Sequence, residues 1–191
     1  VTDSNVAEGL PEGDSLRATL TAKPVGLAAG YLGRYLIFGT IALAQATVVG
    51  LGDLYFLKVQ HAHPLQFMGT LWLTAVVFSS LLYTFIATFG NAGKALGVLF
   101  LVLQISGAGG TFPLAILPSF FSSVSPFLPA THAIRALRAS IAGYSGHEYA
   151  DAMWFLASFI LFAAFLGLAL RPLLVRNNRR MAEKLEATKL L

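Results

Sequence analysis

Few residues of this chain carry reactive groups, and those few do not gather. His61 and His63 alternate in a polar loop. Two imidazoles without a third ligand hold a metal ion weakly, so the pair reads as a solvated loop. Glycines 107, 109 and 110 fall in the run Gly-Ala-Gly-Gly-Thr-Phe-Pro. A phosphate-cradling loop needs a strand before it and a Lys-Ser or Lys-Thr after it. Neither is present, and the glycines serve instead to loosen a helix. The stretch Gly143-Tyr144-Ser145-Gly146-His147 has the outline of a hydrolase nucleophile elbow, but it ends on His147 where glycine is required and follows no strand. It reads as a turn. Cysteine is absent, which removes disulfides, thiolate metal sites and a cysteine nucleophile. No nucleophile, base and orienting acid come together, so no catalytic site, metal site, cofactor or enzyme activity is expected.

Polar groups inside apolar runs are better candidates for function. Asp53 stands a few residues inside the end of the first apolar run. There an ionisable side chain either faces a substrate path, pairs with Lys58, or sits hydrated at headgroup level. Gln45 and Gln104 lie deeper, and suit hydrogen bonds between helices better than chemistry. Arg135 and Arg138 can meet an anionic substrate or a lipid headgroup; snorkelling to the interface explains them equally well.

The elements that hold these residues are set by composition. Of 191 residues, 56% are hydrophobic and 12% charged, against about 25% charged in a soluble domain. Mean hydropathy is +0.70. These values exclude a disordered chain and argue against a soluble globular one. The net charge is +4, with basic residues concentrated after Arg171 and no aromatics interleaved for base stacking. That pattern points to an anionic membrane surface and away from nucleic acid. Residues 1–23 are polar and hold no signal-peptide core. The chain starts at Val1, and reads as a fragment of something longer.

Four apolar runs are long enough to matter. Residues 35–57 would extend about 34 Å as a helix, enough to cross the hydrocarbon core with some tilt. Ala42, Ala46 and Gly50 place small side chains on one face, where another helix can approach; that alanine and glycine are simply common in such helices explains the ladder equally well. Residues 65–89 form the second span. Its Thr70, Thr74, Ser79, Ser80, Thr84 and Thr88 can return their hydroxyls to the backbone. A tight turn is expected at 90–94. The third span opens near residue 95, is loosened by Gly107, Gly109 and Gly110, and reaches about residue 117. Beyond it, Pro118, Pro126 and Pro129 cut the chain into short pieces. Ala130, Ala133, Ile134, Leu137 and Ile141 then recur at helical spacing, with Thr131, Arg135 and Arg138 on another face. This predicts an interfacial helix lying along the membrane. The fourth span is 152–170, closed by Arg171 and Pro172.

The basic cluster beyond residue 170 places the C-terminus in the cytoplasm, 90–94 inside and 118–151 outside. The expected fold is all-α: a polytopic helical membrane protein with four spans and a re-entrant outer segment. The divisions are a polar flank or extracellular remnant at 1–25, a membrane domain at 33–175 and a basic cytoplasmic tail at 176–191. Gly109, Gly110, Phe112, Pro113, Pro118, Phe120, Phe121, Pro126, Pro129, Arg135 and Arg138 make up a candidate outer gate. Phe112, Pro113, Phe120 and Phe121 would close its mouth.

The runs GGTFP at 109–113, LPSFF at 117–121 and PFLP at 126–129, with Leu137-Arg138 beyond, resemble the signature region of the YhgE/Pip family. The turn Phe89-Gly90-Asn91 with Gly93 is similar to the family's turn between its middle spans. The resemblance covers residues 33 to about 174. The C-terminal membrane domain of that family belongs to the ABC-2 type transporter class. The resemblance implies a multi-pass protein of the bacterial plasma membrane, with one N-terminal span, a large extracellular region and five further spans. Family members include a phage infection protein, and a related protein belongs to type VII secretion machinery. Only residues 26–32 lie where the family has a further span, so this chain is expected to lack that span, the N-terminal one and most of the extracellular region. Charge places 1–23 inside, whereas the family would place it outside. The implied function is the permease-like part of an ABC-2-class export system in the lipid bilayer, with a separate ATPase subunit and a second copy of the chain. The alternative is a non-transporting scaffold or phage receptor anchor.

Overall fold

The computed structural model describes residues 27–60, 62–110, 112–143 and 147–189, with side chains over 30–169. The chain divides after Gly33 into two units. Of the first, only the opening turns of a helix from Leu27 fall among the described residues. That helix, α1, spans Leu27–Leu51 and ends in a π-helical turn at Gly52–Phe56. Helix α2 is Pro64–Phe89, α3 Asn91–Gly107, α4 the short Ser119–Val124, α5 Pro129–Ala142 and α6 Glu148–Lys189. Among the described residues, three stretches are long and apolar enough to cross a bilayer: Gly30–Phe56, Pro64–Phe89 and Glu148–Ala169. Helix α3 is a shorter apolar helix.

Helix α2 begins on Pro64, whose missing N–H belongs to a turn that has no intrahelical acceptor anyway. Its hydroxyls bond back along the helix as expected. Thr70 donates to Gln66 O at 2.8 Å, Thr74 to Thr70 O at 2.7 Å, Ser80 to Val77 O at 2.8 Å and Thr84 to Ser80 O at 2.6 Å. Thr88 is the exception: its buried hydroxyl has no partner among the described residues. Gly90 stops the helix at φ 60°, ψ −125°, a conformation open to glycine alone. The chain turns on that one residue and re-enters a helix at Asn91, inside the turn expected at 90–94. Helix α3 then returns along α2. A Cβ on Gly93 would collide with the carbonyl oxygen of Phe85, so only glycine allows this approach.

Helices α2 and α6 run side by side in the same direction. Tyr149 OH donates to Gln66 O at 3.0 Å, and Thr84 Oγ1 lies 3.3 Å from Ala163 O. Between these levels Val77, Leu81, Ala133, Leu156 and Ala163 form the buried core. Lipid is as apolar as leucine, so close packing and hydrogen bonds, more than water exclusion, hold such helices together. Helix α1 runs antiparallel to α2 and touches it through side chains. Tyr35 OH donates to Val76 O at 3.2 Å, and Trp72 Nε1 to Thr47 Oγ1 at 2.9 Å. Gly50 is buried against Met68 and Leu71, whereas Ala42 and Ala46 of the same ladder are half-buried.

Two expectations need correction. Helix α5 does not lie across the ends of the other helices. Its N-terminal end meets Gln104 near the end of α3, at 2.9 Å from Ala130 N. At its C-terminal end, Ser140 O and Ile141 O accept from His63 N at 3.0 Å and Ala62 N at 3.1 Å, just ahead of α2. It therefore runs lengthwise beside α2, and His132 stacks on Phe155 of α6 with ring centroids 4.1 Å apart. The cause is a row of small residues offset from the apolar stripe. Ala133, Ala136 and Ser140 are buried, whereas Ile134, Leu137 and Ile141 are half-buried. Thr131, expected with the arginines, is buried too. The second correction concerns Arg171 and Pro172. They end the apolar stretch but not the helix, which continues to Lys189. A proline removes one backbone bond and bends a helix without having to end it.

Candidate functional site

Helix α3 is the short member of the bundle. Its 17 residues, against 26 in α2, leave it about 14 Å short of the Pro64 end at 1.5 Å per residue. Gln104 sits near its last turn and is 2% exposed. Its Oε1 accepts the Ala130 N–H, one of the donors left open in the first turn of α5. Leu128 stands at the N-cap with no side-chain acceptor, and Pro129 follows at the first helical position. The Gln104 carbonyl thus supplies the cap from another helix. Its Nε2 has no partner among the described residues, and the residue borders a cavity of about 260 Å³ with Phe78 and Ile134. The approach to α5 is fastened locally. Ser125 Oγ and Thr131 Oγ1 share a bond at 3.1 Å, and His132 Nε2 donates to Pro126 O at 2.9 Å. A carbonyl only accepts, so that nitrogen carries the proton.

Between α3 and α5 the chain breaks at Gly109, whose φ is +69°. The Gly109 carbonyl accepts from Arg138 Nη2 at 3.0 Å. A 3₁₀ turn follows at Leu114–Ile116, then α4, then a second 3₁₀ turn at Ser125–Phe127. Two clefts flank α5. One, of about 550 Å³, lies between α5 and the Gly109 stretch. The other, of about 740 Å³, lies between α5 and the start of α6 and includes Glu148 and Asp151. Arg135 and Arg138 border both. No ion pair joins these arginines to either carboxylate among the described residues.

The candidate gate therefore splits. Gly109, Gly110, Phe112, Pro113, Arg135 and Arg138 line one cleft. Phe120 and Phe121 pair edge-to-face elsewhere, on α4, at 5.4 Å. Pro118 starts α4, Pro126 sits in the 3₁₀ turn and Pro129 opens α5. Phe112 and Phe120 are 57% and 58% exposed, and the cleft that Phe112 and Pro113 line is not lined by Phe120 or Phe121. Pro113 and Pro118, with the 3₁₀ turn between them, set the phenylalanines on separate pieces. Asp53 lies half-buried in the π-helical turn and forms no ion pair with Lys58. Gln45 is exposed on a groove between α1 and α2 and makes no hydrogen bond among the described residues. Tyr35 and Thr47 make the bonds instead. His61, Thr111 and residues 144–146, including Ser145, lie outside the described residues. Sequence reasoning missed His132, Glu148 and Asp151. The acidic pair at i, i+3 opposite an arginine pair at i, i+3 was the available signal.

Comparison with known proteins bears on the whole arrangement. The family model described as ABC-2 family transporter protein matches residues 14–170. A relative, the uncharacterized protein YhgE of Bacillus subtilis (strain 168), is 28% identical over 141 residues. The match covers 73% of this chain but only 18% of that relative. No solved structure matches the chain significantly. The matched region contains α1 to α5, the apolar part of α6 and the broken segment between α3 and α5, and on that ground the chain belongs to the ABC-2 family of transporter proteins as a YhgE-like, multi-pass helical membrane domain.

Proposed function

We propose that the chain is the permease-like membrane part of an ABC-2-class export system in a bacterial plasma membrane. The observation that carries this reading is the family match across the helices and the broken segment together. The C-terminus lies in the cytoplasm, as the basic residues beyond Leu170 suggest. The Pro64 end, with α5 and its clefts, then faces outward. A separate subunit hydrolyses ATP, and a second copy completes the path, because four helices leave α1 and α3 largely uncovered. The segment at 109–142 is the moving part of the outer half. The test is a search of the neighbouring genes for an ATPase with a Walker lysine, followed by purification of the full-length protein with it. Stable association, and ATPase activity that rises on reconstitution with the membrane protein, support the reading. Failure to associate, with export unaffected by loss of the ATPase's Walker lysine, contradicts it.

A second reading has its own support. Most of the relative's length lies outside the matched region, so these helices would anchor a larger part that does the work as a scaffold or phage receptor. Phage adsorption that survives when α5 is cross-linked in place would favour it.

A further inference from the structure

Arg135 and Arg138 stand one turn apart on the face of α5 that the bundle leaves open, and both are exposed. Arg138 gives one N–H to the Gly109 carbonyl, which aims its guanidinium along the cleft on that side. Arg135 has no hydrogen bond or ion pair among the described residues. The cleft they share with Gly109 is otherwise walled by Phe112, Pro113, Leu114 and Ile134, and no carboxylate among the described residues lines it. On the other flank of α5, Glu148 and Asp151 border the second cleft and repel an anion there. Two guanidinium groups that form no ion pair among the described residues, beside a largely apolar wall with no carboxylate in it, suit a ligand with an acidic head and a hydrocarbon body. A phosphate matches the planar fork of arginine in two parallel bonds, which a zwitterionic head balances with its own cation.

We propose that the cleft between α5 and the 109–114 stretch binds the phosphate-bearing head of an anionic membrane amphiphile, its chain running along Phe112 and Ile134. This does not require that the chain transports anything, and it stands apart from the export reading. The probe is phosphatidylglycerol with a fluorescent acyl chain, titrated against the full chain in neutral detergent, with the matching phosphatidylcholine as comparison. Phosphatidylglycerol is expected to bind about tenfold more tightly, the size of one charge-assisted interaction. Arg135→Gln, which removes no bond from the fold, reduces that preference, and Arg135→Gln with Arg138→Gln abolishes it. Arg138→Lys keeps the charge and much of the preference, which separates charge from folding. Glu148→Gln with Asp151→Asn leaves the preference intact or larger. An unchanged preference in Arg135→Gln and in the double arginine variant would overturn the assignment. Displacement of the lipid by inorganic phosphate at equal concentration would also overturn it, since it would mark a site for the free anion alone.

Discussion

The two ends of the helical bundle are built differently. At the Gly90 end, α2 and α3 join through a single glycine, and Gly93 brings backbone against backbone. At the Pro64 end, α3 stops short, and a run of short helices and 3₁₀ turns leads into α5, which fills the vacant position. The first end is fixed by steric contact. The second is held by individual bonds: Gln104 to Ala130, Arg138 to Gly109, His132 to Pro126, and the loop before α2 to the end of α5. Steric closure leaves one arrangement, whereas a set of bonds can be exchanged one at a time. The difference locates the less tightly fixed part of the domain in the chain between α3 and α5, since α5 itself contributes Ala133 to the core.

Substitutions at each end should break that contrast in order of size, as read by unfolding in mixed micelles of graded SDS content. Gly93→Ala forces a methyl group into the Phe85 carbonyl, and a backbone cannot yield as a side chain can. A loss of about 3 kcal/mol or more is expected. Gly110→Ala is its control at the other end: the new Cβ crowds Cδ1 of Ile134, the tip of a flexible side chain, and meets its Cγ1 at ordinary contact distance. A loss under about 1 kcal/mol is expected there, and equal losses at the two glycines would erase the contrast. Gln104→Leu strips the cap from Ala130 and leaves a part-buried N–H open, but it also removes an amide nitrogen with no partner among the described residues; the net loss expected is about 1 kcal/mol. An unchanged midpoint would mean that the bond does not hold α5. Thr88→Val has the opposite sign. It removes a buried hydroxyl that has no partner among the described residues, and should stabilise by up to about 1 kcal/mol. Trp72→Phe loses the bond to Thr47 between α1 and α2, worth about 0.6 kcal/mol in a membrane helix pair.

Much of this architecture is legible in the sequence. The second span ends on Phe89 as expected and begins one residue early, because Pro64 and Gly90 are local signals that need no tertiary context. The first span likewise ends within a residue of its expected limit, although nothing in the sequence marks the π-helical turn that holds Asp53. The broken segment is legible from its glycines and prolines. The placement of α5 is not. An amphipathic helix with two arginines suits an interface by composition, and only the packing reveals that Ala133, Ala136 and Ser140, small as they are, form its buried face. The expected gate residues are spread over separate elements for a related reason. Its aromatic residues are close in sequence, but each proline between them redirects the chain. Pairings such as Tyr35 with Ser79, or Tyr149 with Gln66, depend on which helices become neighbours, and single-chain periodicity carries no record of that.

The central claim is that α5 is inserted lengthwise beside α2 and α6 rather than laid flat. The chain has no cysteine, so single cysteines at Ala130 and Ala142 can carry spin labels without background. Depth in bilayers follows from the ratio of collision with oxygen to collision with a water-soluble nickel reagent. The twelve-residue step from 130 to 142 corresponds to about 18 Å of helix. An inserted α5 predicts a nickel-accessible label at position 142 and a protected, oxygen-accessible one at 130, with a depth difference approaching that length. Equal depths at the headgroup level would contradict it.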